Sequence, residues 1–231
     1  MFSKKDAMQK IIARHFTCVK SKLTYTQYVY QQLLDKRYQV TGICGGSGAG
    51  KSTLAHELVG LLGADNSVRV MVDGYLQYPR EKMRELGLTG YDLESRDMAR
   101  FLRDLESLRS GQPIQKPIFN EPTQRPPHFV EEIQPRGFII LEDTIDFSGI
   151  ADFAIFTFAP DEVMVSRRMA RDMAENAFWD RKELEKYIRG QSLPKYKEKH
   201  VPAAAKCHLI INTHTNEIFQ NKKLKPKRRQ S

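Results

Sequence analysis

The sequence predicts an α/β protein with five mostly parallel strands packed between helices in three layers. Two observations carry this. Apolar runs of strand length at 38–44, 67–72, 138–141, 153–158 and 207–212 alternate with segments whose apolar residues recur at helical spacing. Between the first run and the first helical segment after it lies a single glycine-rich loop, Gly45-Gly46-Ser47-Gly48-Ala49-Gly50-Lys51-Ser52.

Residues 1–37 precede this core with apolar positions Ile11, Ile12, Phe16, Tyr28, Val29, Leu33 and Leu34. Their spacing suggests two helices, an N-terminal extension whose default role is packing on the sheet. The glycine loop fits G-x-x-x-x-G-K-[ST] at every fixed position, so the expected fold is that of a P-loop NTPase. Its flanks agree: Tyr38 to Cys44 reads as a buried strand, and Leu54, Ala55, Leu58, Val59, Leu61 and Leu62 form a helix face that ends at Gly63. Glycines allow successive N–H groups to turn inward on phosphate oxygens, and the helix N-terminus adds partial positive charge. Gly45, Gly46, Ser47, Gly48, Ala49, Gly50, Lys51, Ser52 and Thr53 are therefore the expected nucleotide contacts. Lys51 would reach the outer phosphates, and the Ser52 hydroxyl would hold Mg²⁺.

The second strand runs from Ser67 into Asp73-Gly74-Tyr75. An Asp-Gly after a strand is often only a turn. At the carboxyl end of a strand in an open α/β sheet, however, Asp73 stands where ligands bind. There it would take a proton from an attacking hydroxyl or help hold Mg²⁺. The segment Gly90 to Asp97 leads into a helix carrying Met98, Phe101, Leu102, Leu105 and Leu108, which stops at Ser110-Gly111. The prolines from Pro113 to Pro127 then exclude a central strand and describe a pinned loop or edge hairpin.

Phe138-Ile139-Ile140-Leu141 closes in Glu142-Asp143, an acidic strand end suited to Mg²⁺ beside a P-loop. After the strand Phe153 to Phe158, the helix Glu162 to Met173 sets Arg167 and Arg171 on one face with Arg168 beside them. Such a face is usually just solvated; in a P-loop protein it is also a candidate for closing over the phosphates. Cys207 to Asn212 supplies the last strand. The core so bounded spans 38–214, and 215–231 is expected to be a basic, disordered tail.

Net charge is +9, with much of the excess in that tail, between Lys222 and Arg229. The tail is read as a solvated end rather than a nucleic-acid contact. No apolar run approaches the length needed to span a bilayer, and the N-terminus lacks a signal-peptide core. Cys18, Cys44 and Cys207 are odd in number and lack metal-ligand spacing, which suits a reducing, cytoplasmic setting.

In this order the motifs resemble the phosphoribulokinase/uridine kinase family from about Val40 to Asn212. The family's loop reads G-x-S-G-S-G-K-[ST], and its catalytic Asp followed by an aromatic is matched by Asp73 and Tyr75. Its substrate segment F-D-H-P-D is echoed by Tyr91-Asp92, and its acidic strand end E-G by Glu142-Asp143. Its lid helix R-R-x-x-R-D is matched by Arg167-Arg168-Met169-Ala170-Arg171-Asp172. The uridine-reading stretch P-V-Y-D-F-x-x-H departs to Pro117-Ile118-Phe119-Asn120-Glu121-Pro122-Thr123-Gln124. The lid's E-R-G-R likewise becomes Glu175-Asn176-Ala177-Phe178.

The resemblance implies a helical lid, ATP and Mg²⁺, and a kinase that phosphorylates an alcohol of a small metabolite, with uridine itself disfavoured. It implies Lys51, Asp73, Arg167, Arg168 and Arg171 as catalytic residues and Ser52, Glu142 and Asp73 at the metal. Asp73, Tyr75, Asp92, Phe119 and Gln124 would meet the acceptor. A nucleotide-binding regulator of the same fold without efficient transfer is the alternative, and an ATP-linked RNA-binding protein a third. A homo-oligomer is left open.

Overall fold

The computed structural model describes residues 6–118, 130–175 and 180–224. Its elements in order are α1 (Ala7–His15), β1 (Phe16–Cys18), α2 (Tyr25–Lys36), β2 (Val40–Gly45), α3 (Lys51–Leu62), β3 (Ser67–Met71), α4 (Arg80–Glu85) and α5 (Met98–Arg109). These are followed by β4 (Ile114–Pro117), β5 (Val130–Ile133), β6 (Phe138–Glu142), β7 (Phe153–Phe158), α6 (Asp161–Glu175), α7 (Arg181–Tyr187), α8 (Leu193–Lys199), β8 (Leu209–Asn212) and β9 (Glu217–Asn221).

The middle layer is a seven-stranded sheet in the order β1-β9-β8-β7-β2-β6-β3. The five expected strands are the parallel ones, β3, β6, β2, β7 and β8. Every residue of β2 and β7 is buried, as strands covered on both faces require. One face packs under α2 and α3 through Val29, Leu33, Leu54 and Leu58. The other packs under α1, α5 and α8 through Met8, Ile12, Phe101, Leu105 and Tyr196.

The strand count of five is corrected to seven. β9 pairs antiparallel with β8, and β1 with β9, extending one edge. Neither is visible as a periodic pattern, because β1 is three residues long and buries only Phe16, while β9 buries only Ile218 and Asn221. Two helices do form within residues 1–37, but on opposite faces of the sheet, with β1 joining its edge between them. At the other end, Glu217–Asn221 belongs to the sheet rather than to a free tail. Asn221 Nδ2 donates to the carbonyls of Ala205 (3.1 Å) and Cys207 (3.0 Å). Of the proline-rich stretch, expected as a pinned loop or edge hairpin, Ile114–Pro117 pairs antiparallel with Val130–Ile133 outside the main sheet, and 119–129 lie outside the described residues.

His208 tests this edge. Its Nδ1 accepts the Ala154 N–H at 3.1 Å, which needs an unprotonated nitrogen, and burial pushes its pKa below the ordinary histidine value. The unfolded chain therefore binds the proton first, near pH 6.5. Stability is fully present above that pH and falls as pH drops below it. The melting temperature is expected to decline between pH 7.5 and 5.5 (about one unit either side of that value), and to decline less in His208→Asn. The amide oxygen of that variant accepts the same bond without titrating.

Candidate active site

The loop between β2 and α3 bends on glycines in the left-handed region, with φ of 81° at Gly48 and 84° at Gly50. At Gly48 a side chain would also collide with the Met164 carbonyl oxygen, 2.4 Å from the position of its Cβ. Lys51 turns back into the loop, and its ammonium donates to the Gly46 carbonyl at 2.9 Å. Burial lowers the Lys51 pKa, while Glu142, Asp73 and Asp143 oppose that shift. A cationic, amide-lined turn at a helix N-terminus has the chemistry of a phosphate site.

Beside it, β2, β6 and β3 run parallel with Ile43 level with Glu142 and Glu142 level with Met71. The Ser52 hydroxyl donates to one Glu142 oxygen, and the Arg69 guanidinium holds the other, with Nε at 2.7 Å. Hydroxyl and carboxylate oxygens are the hard donors that Mg²⁺ takes. Among the described residues no group of three or more His, Cys, Asp and Glu side chains converges as metal ligands.

Two residues past β3, in a 3₁₀ turn from Val72 to Tyr75, lies Asp73. Its side chain is half-exposed, and Oδ1 accepts from Arg96 Nη2 at 3.0 Å. Enclosure in the cleft and the neighbouring Asp143 raise its pKa, while Arg96 and Lys51 pull it down. Asp143 is fully buried and takes a two-pronged contact from Arg96, Nε to Oδ2 at 2.8 Å and Nη2 to Oδ1 at 2.7 Å.

The three arginines of α6 divide. Arg171 Nη2 donates to Ser47 Oγ in the glycine loop at 3.2 Å, and Arg167 Nη1 to Thr213 Oγ1 at 3.0 Å and the Gly48 carbonyl at 3.4 Å. Arg168 turns the other way. It pairs with Asp172 at 3.1 Å, donates to Ser192 Oγ and lies over the Tyr187 ring. There it lines a cavity of about 190 Å³ that extends from Ser47 to Asp73, walled by Thr89, Tyr91, Thr144 and Gln191.

The expected acceptor residues fare differently. Asp73 lines that cavity, but Tyr75 and Asp92 do not. Tyr75 is buried against Phe101 with its hydroxyl on Asp104 at 2.8 Å. Asp92 accepts from the Thr89 amide and hydroxyl, each at 2.8 Å, and pairs with Lys199, so local bonds occupy its carboxylate. Phe119 and Gln124 lie outside the described residues, as do Glu121 and 176–178. Thr53 is exposed on the first turn of α3.

Sequence reasoning missed Arg69, Arg96 and Thr213. Arg69 is a polar residue within a strand, a signal that was available. Arg96 sits among Glu94, Ser95 and Asp97, extended just past a 3₁₀ turn and bridged to Leu76, where nothing periodic singles it out.

A model of the phosphoribulokinase/uridine kinase family matches residues 40–218. A uridine kinase from Leuconostoc citreum is 30% identical over 181 residues, covering 74% of this chain and 86% of that one. A phosphoribulokinase from Synechocystis is 29% identical over 146 residues, 60% of this chain and 43% of its own. Among solved structures, a D-glycerate 3-kinase from Cryptococcus neoformans shares the fold, with a TM-score of 0.61 at 12% identity, covering 81% of this chain and 95% of that chain.

The buried ion pair carries a stability test. Asp143→Leu leaves the buried Arg96 charge with only the half-exposed Asp73 carboxylate and is expected to cost roughly 3 kcal/mol in urea unfolding. Replacing both partners, as Arg96→Met with Asp143→Leu, is expected to recover most of that loss. Equal costs for the single and double variants would contradict the pairing.

Proposed function

The chain belongs to the phosphoribulokinase/uridine kinase family, and from that premise we propose that it transfers the γ-phosphoryl group of ATP to a hydroxyl of a small neutral metabolite. The observation that carries this is the meeting of Lys51, Ser52, Glu142 and Asp73 at one end of the sheet, with a cavity opening from Asp73. Residues 45–50 would cradle the phosphates with their amides, next to Thr53, and Lys51 would neutralise the β- and γ-oxygens. Ser52 and Glu142 would hold Mg²⁺, which would supply charge neutralisation to those phosphates. Asp73 orients the acceptor hydroxyl and takes its proton. Arg171 and Arg167, already against the loop, stabilise charge on the transferring group, and Arg168 faces the acceptor. Catalysis of this kind is positioning and electrostatics, so the charges weigh most.

The lining of the cavity supports this acceptor class. Thr89, Tyr91, Thr144, Gln191 and Ser192 offer neutral hydroxyl and amide groups, and Arg168 is already paired with Asp172. An anionic acceptor would meet the Asp73 carboxylate and find Arg168 engaged; a polyol or nucleoside-like acceptor matches the walls. Uridine is expected to be poor, a reading that rests on Glu121 and Gln124 in the sequence alone. A cytosolic setting belongs to the same proposal.

ADP formation across neutral polyols, nucleosides and phosphorylated sugars tests the reading, and a preference for a phosphorylated sugar would overturn the acceptor class. Lys51→Ala is expected to lose most ATP affinity and turnover; wild-type values for both would remove the phosphate assignment. Asp73→Asn should lower kcat by about 10²-fold or more with ATP affinity nearly unchanged. Retained kcat with lowered stability would make Asp73 a turn residue.

A further inference from the structure

Arg96 is 2% exposed, and its guanidinium uses all five N–H donors. Two go to Asp143 and one contact goes to Asp73 Oδ1. Nη1 reaches Ser95 Oγ at 3.1 Å and the Asp92 carbonyl at 3.4 Å. A planar group held on every edge has no rotamer freedom left. Asp143 is anchored in turn, accepting from the Thr144 amide and from its hydroxyl at 3.0 Å.

The backbone repeats the connection. Gln77 N donates to the Ser95 carbonyl at 2.9 Å and Asp97 N to the Tyr75 carbonyl at 2.8 Å, tying the turn that carries Asp73 to the segment that carries Arg96. Asp73 alone in this cluster reaches the cavity: the Arg96 and Asp143 side chains are fully covered, while that of Asp73 is 53% exposed. Without the guanidinium, two like charges would face each other across the cleft floor.

We propose that Arg96, clamped by Asp143, is a positioning residue for phosphoryl transfer, holding one oxygen of Asp73 so that the other is presented to the acceptor hydroxyl. This rests on the reading of Asp73 given above. A buried, fully satisfied support under a half-exposed reacting group is what preorganised catalysis needs, since misplacement by about 1 Å costs on the order of 10²-fold.

The test compares Arg96→Gln/Asp143→Asn with wild type, both with Asp73 intact and again with Asp73→Asn added to each. Rates are ADP formation from MgATP with a mixture of neutral polyols and nucleosides; a fluorescent ATP analogue reports nucleotide affinity and melting temperature reports folding. With Asp73 present, the double variant should lose roughly 10–10²-fold in kcat while nucleotide affinity stays within about twofold. With Asp73→Asn, the same change should add almost nothing, because the group being positioned is gone. A loss that multiplies undiminished in the Asp73→Asn background would overturn the proposal, as would a folded double variant with wild-type kcat. Should the double variant fail to fold, Arg96→Lys serves instead: it keeps the charge but not the fork, and full kcat in it would equally overturn the clamp. No ADP formation by wild type, or wild-type kcat in Asp73→Asn alone, would instead sink the underlying reading.

Discussion

Parallel pairing of β2, β6 and β3 decides where every charge of the site stands. The register sets Ile43 and Met71 level with Glu142, so the glycine loop, the acidic pair and the Asp73 turn all leave the sheet at one end. A slip of one residue would turn Glu142, at the end of β6, to the other face. The collected charges stand in a poorly solvated place, where an unpaired one costs several kcal/mol. The chain answers Glu142, Asp143 and Asp73 with Arg69, Arg96 and Lys51. Burial displaces the pKa of Lys51 downward and that of Asp73 upward there, with Asp143 adding to the Asp73 shift.

Much of this was legible from residue order. Buried strands in a parallel sheet are continuous apolar runs, and the phosphate loop is a local motif, so β2, β6, β7 and α3 announce themselves. The edge strands β1 and β9 do not, because three to five half-exposed residues carry no readable period. Tyr75 and Asp92 were legible as residue types but not as directions. A 3₁₀ turn aims Tyr75 into the core, and Thr89 and Lys199 capture the Asp92 carboxylate. Which way a side chain leaves a turn depends on partners distant in sequence, as Asp104 and Lys199 are here.

The departure at Asp143 illustrates the same limit. By family pattern a glycine is expected after Glu142, and here a carboxylate stands in its place. In the folded chain that carboxylate carries its own counter-ion, Arg96, from a segment 47 residues away. The pair is an addition to the site's floor rather than an uncompensated charge. The lid divides along similar lines. Spacing alone puts Arg167 and Arg171 together, and they do share the glycine loop, while Arg168 lines the cavity beside Asp73.

The central claim is that the charges gathered at this sheet end drive transfer to a small hydroxyl acceptor rather than simple nucleotide retention. Phosphorus NMR of ATP incubated with the purified chain, Mg²⁺ and a low-molecular-weight metabolite extract tests it directly. The account predicts a new phosphomonoester resonance that grows as the γ-phosphate signal falls, and that is absent without Mg²⁺. An unchanged ATP spectrum, or inorganic phosphate as the sole product, would contradict it.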